Sequence, residues 1–374
     1  MKHFQFSSVF STRRKELGVT QEQIAEYVGV SRAAVSKWEK GLSYPDITLL
    51  PKLATYFNVS IDTLLGYEPQ LTKERITMMY RELANQFSQQ SFETVQEEIE
   101  QLLTEYYACF PFVLKMAQLY LNYHTQATQP NTILTRVQEL CGRVKELSED
   151  YQLVNAAVMI EASAMLMQGQ AQEVLHILGK DVPIQFGTEQ LIAMAHTMLG
   201  DTAKAKETLQ VSMYQHVMHM ISCATENLML EVGHVENFDE TVHRTKSFIQ
   251  IFHVEHLNVN APLVFYLKAA AGYVMQNRLE RALEMIEAYC RICYQLKFPI
   301  QLQGDAYFYL LSDWMEEHIQ LGGQAPRDNL SIKKDLVNSL TQQPVFAPLY
   351  DDPKYKAIIA NLKHHLKIEE ENEC

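Results

Sequence analysis

Apolar positions recur at intervals of three and four residues along nearly the whole chain, which is the period of an amphipathic α-helix. The two-residue alternation of a β-strand persists nowhere beyond a few positions. Glycine and proline are scarce, at 14 and 12 of 374 residues. Because good helix formers fill the remainder, the pattern predicts an all-α fold.

The stretch TQEQIAEYVGVSRAAVSKWEKG, residues 20–41, predicts two short helices joined by a tight turn. Thr20 and Ser31 are favourable N-cap residues. Gly29 can adopt the positive φ that a sharp turn between helices requires. Apolar side chains occupy one face of each helix, namely Ile24, Ala25 and Val28 on the first and Val35 and Trp38 on the second.

The opposite face of the second helix is short-chained and cationic. Such a face suits a helix that lies in the major groove of DNA. A plain helical hairpin with a solvated face is the alternative, but cap, turn and apolar residues all fall at the required spacing. The outer face consists of Arg32, Ala33, Ser36, Lys37 and Lys40.

Charge separates the chain into two parts. Residues 1–66 contain eight Lys and Arg against six Asp and Glu, a net charge of +2. The remainder contains 24 against 39, a net charge of −15, so the whole chain carries −13. Because a polyanion repels the acidic part, only the first part is expected to touch nucleic acid.

Residues 20–41, with RRKELG before them and YPDITLLPKLATYFNVSIDTLLG after them, resemble the helix-turn-helix of Cro/cI-type (XRE family) repressors. The resemblance runs from about Phe6 to Gly66 and implies a five-helix, lambda-repressor-like DNA-binding domain over residues 1–66. Pro51 departs from a regular fourth helix, which must either start late or bend in its first turn.

This resemblance also implies roles for individual side chains. Gln21 matches a phosphate contact, and Arg32, Ala33 and Lys37 match positions that meet base edges. Arg14 and Glu39 match an internal ion pair, with phosphate binding as the alternative for Arg14, whereas Arg13 has no such partner and is the freer phosphate ligand. The implied DNA-binding set is Arg13, Gln21, Ser31, Arg32, Ala33, Ser36, Lys37 and Lys40.

Residues 67–71 break the apolar pattern and predict a linker, and residues 72–374 read as helices with short breaks. The predicted spans include separate helices at 202–219 and 221–234 and one helix at 302–320. LGDTAKAKETL (199–209) aligns with QNRLERALEMI (276–286), which places Gly200 over Asn277, and QGQAQEVLHIL (168–178) is a looser copy. Such units resemble tetratricopeptide (TPR) repeats, so the expectation is a TPR-like α-solenoid.

A basic reading head joined to a long acidic helical region resembles the Rap/Rgg/PlcR/PrgX group of bacterial peptide-pheromone regulators. The resemblance implies a homodimer on double-stranded DNA and a short signalling peptide in an inner groove. A protein partner, a small molecule, or a purely structural repeat domain remain alternatives. Polar residues expected in the groove are Asn155, Gln190, His196, Glu226, Asn227, Tyr266, Lys268 and Tyr307.

Enzyme and cofactor chemistry finds little support in the chain. No phosphate loop or nucleophile elbow occurs, so we expect no enzyme activity and no cofactor. The pairs His216–His219 and His253–His256 have metal-ligand spacing but no evident third ligand, so we expect no metal. The six cysteines are expected to be buried, reduced thiols. Without a signal peptide or membrane-length apolar run, a cytoplasmic protein with no membrane partner is expected.

Overall fold

The structure is a computed structural model that describes residues 5–67, 70–184, 187–318 and 325–368. Within these ranges the regular elements are helices and no β-strand occurs, which confirms the all-α prediction. None of the helices in these ranges is both long and apolar enough to cross a membrane.

Five helices form the head, residues 5–67, and their apolar faces meet in a single core. Phe10 lies at its centre, with ring centroids 6.1 Å from Trp38 and 5.3 Å from Phe57. The fourth helix starts late, after a 3-10 turn at Ile47–Leu49. Pro51 therefore lies in the first turn of this helix, where a backbone N–H has no partner within the helix and its absence costs little. The helices are α1 (Phe6–Glu16), α2 (Gln21–Val28), α3 (Arg32–Glu39), α4 (Leu50–Phe57) and α5 (Ile61–Leu65).

The chain divides into two compact units, one of residues 1–83 and 90–179 and the other of residues 84–89 and 180–374. The predicted head, linker and body boundaries at residues 66 and 72 stay predictions. Residues 68 and 69 of the linker lie outside the described ranges. The helices that follow the head up to residue 179 are α6 (Lys73–Gln86), α7 (Phe92–Glu105), α8 (Phe110–Tyr123), α9 (Pro130–Leu147), α10 (Tyr151–Met167) and α11 (Ala171–Leu178).

In the first unit, α8 packs against α9, and α10 packs against α8, α9 and α11. Two ion pairs join α9 to α7 and to α10. Arg136 of α9 holds Glu100 of α7 through two hydrogen bonds, of 3.1 and 2.7 Å. Lys145 of α9 lies 2.5 Å from Glu161 of α10, whose side chain is 8% exposed. A buried carboxylate of this kind needs its cation, so these pairs fix the helices in place.

The second unit contains α12 (Thr188–Met198), α13 (Thr202–Leu230), α14 (Val235–Ile251), α15 (Val254–Leu257), α16 (Asn260–Met275), α17 (Leu279–Gln295), α18 (Leu311–His318), α19 (Asn329–Thr341) and α20 (Pro353–Leu366). Its core lies mainly between α13, α16 and α17, with α20 against α17. Asp239 of α14 accepts from Tyr273 at 3.0 Å and from Arg278 at 2.8 and 2.9 Å, which joins α14 to the α16–α17 hairpin.

The three sequence copies share one turn geometry. Gly169, Gly200 and Asn277 all have positive φ, of 75°, 82° and 56°. In each copy this residue donates its N–H to the carbonyl three positions back, and the next residue donates to the carbonyl five positions back. This is the hydrogen-bond pattern of a helix ending on a left-handed residue. Three helical hairpins of the body therefore have equivalent turns.

Two predicted helix boundaries are wrong. Residues 202–230 form one uninterrupted helix, not two, because the sequence there contains neither glycine nor proline. Residues 302–310 are not helical, although a helix was predicted from 302. There the Asp305 carboxylate accepts from the backbone N–H groups of Tyr307 and Phe308, and Leu310 N–H donates to the side chain of Gln210.

Candidate nucleic-acid interface

The turn between α2 and α3 is built as the sequence predicts. Thr20 caps α2 through Gln23 in a reciprocal capping box, and the Ser31 hydroxyl accepts from Ala34 N–H at 3.3 Å to cap α3. Gly29 has φ 81°, in the left-handed region that favours glycine. The side chains predicted to point inward, Ile24, Ala25, Val28, Val35 and Trp38, are all buried.

The outer face of α3 is accessible over its length. Arg32 is 69% exposed, and its Nε lies 4.0 Å from a Glu22 carboxylate that is itself 70% exposed. Ala33, Lys37 and Lys40 are exposed as well, and Ser36 is half-buried. Lys37 and Lys40 make no ion pair with any residue the structure describes. These cations are therefore free to meet an anionic surface.

Glu39 joins α3 to both α1 and α2. Its carboxylate accepts from Arg14 Nε at 2.5 Å and from Gln21 Nε2 at 2.6 Å, while Arg14 Nη1 donates to Val19 O at 2.8 Å. The predicted Arg14–Glu39 ion pair is confirmed. Gln21 is held in this network, so one N–H of its amide is already used and its backbone N–H remains at the start of α2.

Arg13 is predicted to have no ion-pair partner, but the structure gives it one. Its Nη1 lies 2.9 Å from the Glu16 carboxylate one helical turn away. Both side chains are about half exposed, at 43% and 54%, so the pair is weak and competes with solvent. The sequence spacing of three residues on α1 was the signal for this pair.

Comparisons with known proteins place the head in a family. The HTH_3 helix-turn-helix family matches residues 11–64. The HTH-type transcriptional activator BcrR of Enterococcus faecalis is 41% identical over 68 residues, 18% of this chain and 33% of BcrR. An uncharacterized HTH-type transcriptional regulator of Archaeoglobus fulgidus is 37% identical over 57 residues, 15% of this chain and 81% of that protein. The chain belongs to the HTH-type transcriptional regulators.

A phage repressor and one solved structure are also similar to this regulator. The cryptic phage CTXphi transcriptional repressor RstR of Vibrio cholerae is 36% identical over 56 residues, 15% of this chain and 50% of RstR. The matches thus span a third of BcrR and half of RstR. The apo form of the competence regulator ComR from Streptococcus vestibularis aligns with a TM-score of 0.23 and 11% identity, over 79% of this chain and 93% of ComR.

The side chains predicted for a ligand groove of the regulator lie in different surroundings. Asn155 on α10 and Asn227 on α13 are exposed. Lys268 of α16 donates to both oxygens of Glu226 at 2.6 Å, so the two charges neutralise each other.

Tyr266 is only 6% exposed and belongs to the core of the second unit, so its predicted groove position is wrong. Tyr307 is 58% exposed but lies in the non-helical segment 302–310. Gln190 is exposed on α12, and His196 lies 3.9 Å from Asp201.

The histidine pairs of the body do not form a larger donor cluster. His253 is the N-cap residue of α15 with φ 46°, so it and His256 do not lie on one continuous helix. The Nδ1–H of His216 donates to the backbone oxygen of Ser212, 2.7 Å away. Among the described residues no group of three His, Cys, Asp or Glu side chains could hold a metal ion. Four described cysteines are buried, but Cys223 is exposed, contrary to prediction.

Proposed function

We propose that this regulator binds double-stranded DNA by inserting α3 into the major groove. The observation that carries the proposal is the exposed cationic face of α3 on a chain whose net charge is −13. A capped, rigidly packed helix presents Arg32, Ala33 and Lys37 outward. A helix held in this way meets base edges without a large loss of conformational entropy.

The outward side chains divide by reach and chemistry. Arg32 and Lys37 would donate to guanine O6 and N7, and Ala33 would contact a thymine methyl group. Ser31, Ser36, Lys40, Gln21 and Arg13 would hold the phosphate backbone, which positions the head without specifying sequence. For Gln21 the phosphate ligand is its backbone N–H together with the remaining N–H of its amide.

Selection of bound fragments from random duplex DNA tests this function. Wild type should enrich a defined sequence, and its affinity should fall steeply with salt because phosphate contacts release counterions. A variant with Arg32→Ala and Lys37→Ala should lose the enrichment. Glu74→Gln and Arg75→Ala on the exposed start of α6 make a control that should keep it. Absence of enrichment by the wild-type protein would contradict the proposal.

We further propose that the acidic body forms a homodimer and binds a regulatory ligand, a short signalling peptide. Two heads would then occupy half-sites about 34 Å apart, one DNA turn, or a multiple of that. A peptide would act only through its different affinity for two arrangements of the dimer. The helical hairpins support this proposal because such stacks offer an extended surface lined by the first helix of each hairpin.

Thermal-shift measurements with synthetic peptides and with metabolites would separate the ligand classes. A rise in melting temperature with peptides alone supports peptide sensing, because a ligand that binds only the folded state stabilises it. A rise with metabolites alone would replace the peptide by a small molecule. Sedimentation of the free protein tests the homodimer separately.

A further inference from the structure

Helix α8 presents a single polar row. Eight of its fourteen residues are buried. Lys115, Gln118 and Asn122, spaced by three and four, lie on one half-buried face. Asn122 Nδ2 donates to Tyr80 Oη of α6 at 3.0 Å. The row therefore borders α6, and α8 itself packs against α9 and α10.

Lys115 has no counter-ion among the residues that the structure describes. Its Nζ donates to Gln118 Oε1 at 2.6 Å, and this neutral amide is the hydrogen-bond partner of Lys115 among the described residues. On the neighbouring α9, Arg136 and Lys145 both pair with carboxylates. Burial lowers the pKa of Lys115 to about 8, because a cation removed from water is destabilised when no anion replaces the water.

The pair of Lys115 and Gln118 offers an excess of donors, because its remaining acceptor is one lone pair of Gln118 Oε1. Since Gln118 Oε1 accepts from the lysine, its amide N–H groups remain available, together with two N–H groups of Lys115. An ionised carboxylate accepts only, so it complements this arrangement. Asn122 keeps its Oδ1 and one N–H, which match the N–H and C=O of an extended peptide backbone.

We propose that Lys115 and Gln118 bind the C-terminal carboxylate of the regulatory peptide, whose chain then runs along α8 past Asn122. Asn122 lies seven residues further along the helix, or about 10 Å at 1.5 Å per residue. An extended peptide covers that distance in about three residues. The inference rests on the proposed peptide function and adds which end of the peptide is bound and by which residues.

The first experiment uses acetate as the probe and requires no peptide. The full-length protein is labelled with [13Cε]lysine, and Lys115→Arg assigns the Lys115 signal by removing it. Sodium acetate should shift that signal saturably relative to sodium chloride at equal ionic strength. Lys246 is a matched control, because it is also half-buried and makes no ion pair with a described residue. Equal effects of acetate and chloride on Lys115 overturn the inference.

The second experiment uses two pools of short synthetic peptides of identical sequence, one with a free C-terminal carboxylate and one with a C-terminal amide. Wild type should bind the acid pool about tenfold or more tightly than the amide pool, because a neutral C-terminal amide cannot replace the carboxylate in a charge-assisted hydrogen bond with Lys115. Lys115→Met should abolish the preference, Lys115→Arg should retain it, and Lys246→Met should leave it unchanged.

The outcomes separate the two proposals. Equal binding of both pools to wild type, or a preference that survives Lys115→Met, overturns the carboxylate site while peptide sensing stands. Binding of neither pool, with or without an acetate shift, overturns both, while DNA binding by the head is unaffected. If Lys115→Met does not fold, the acetate titration of the wild type and the Lys115→Arg measurement still decide the question.

Discussion

At Glu39, one carboxylate receives hydrogen bonds from two different helices. Burial alone would raise the pKa of Glu39, but the hydrogen bonds from Arg14 and Gln21 and the charges of Arg14 and Lys15 outweigh it and leave the pKa below its ordinary value. A carboxyl whose pKa is depressed by folding stabilises the folded state above its unfolded pKa. That stabilisation is lost as the pH falls below about 4.5 through the folded pKa.

Glu39→Gln should therefore lower the stability of the head at pH 7 by about 1–3 kcal/mol and flatten its dependence on pH below about 4.5. Trp38 fluorescence in a Trp314→Phe background reports on the head alone, because these are the two tryptophans of the chain. Denaturant titrations at pH 7 and in acid measure both effects. Equal acid sensitivity of wild type and variant would refute the assigned role of Glu39.

Lys37 and Lys40 lie on the same helix but have different proposed roles, Lys37 in contacting base edges and Lys40 in contacting the phosphate backbone. Replacing Lys37 by Ala should cost roughly 1–3 kcal/mol of DNA-binding free energy and relax the preference at one base position. Lys40→Ala should weaken all sequences alike and reduce the salt slope by about one. Fragment selection with each variant distinguishes these outcomes. A uniform loss with Lys37→Ala would reassign Lys37 to the phosphates.

At the scale of elements, two helical glycines predict opposite effects. A Cβ added at Gly142 of α9 meets no atom within 4 Å, whereas one at Gly272 of α16 would lie 2.4 Å from the Phe238 ring. Gly142→Ala should stabilise its helix by about 0.5–1 kcal/mol through helix propensity. Gly272→Ala should destabilise the second unit by about 1–3 kcal/mol through overpacking. Differential scanning calorimetry of both variants checks the signs, and a stabilised Gly272→Ala would contradict the packing.

The sequence predicts local elements of this protein well because caps, turns and apolar spacing are local signals. Thr20, Gly29 and Ser31 fix the α2–α3 turn, and Gly200 and Asn277 mark equivalent turns. The segment 302–310 escapes prediction because its backbone donates to Gln210, about 100 residues away. The burial of Tyr266 escapes prediction for a similar reason, since it depends on packing between helices. Neither the Arg32–Glu22 contact nor the isolation of Lys115 leaves a pattern in the sequence.

At the scale of the whole molecule, the head and the body differ in charge, and this difference suits them to different roles. The head closes its own core between Phe6 and Leu65, and its cations face outward. The body carries a net charge of −15 and gains nothing from approaching DNA directly. Its proposed contribution to affinity is therefore to join two heads, so that the second head binds at a high effective concentration.

Removing residues 72–374 tests that division. The fragment should fold, because its core is internal, and should bind operator DNA much more weakly than the full chain. Because a dimer neutralises twice as many phosphates, the slope of log K against log salt should fall to about half. Fluorescence anisotropy over a range of salt concentrations measures both quantities, and a full-length variant with Arg32→Ala and Lys37→Ala controls for nonspecific binding. Undiminished affinity and an unchanged slope would mean that a single head carries all of the DNA binding, and the dimer would have no part in it.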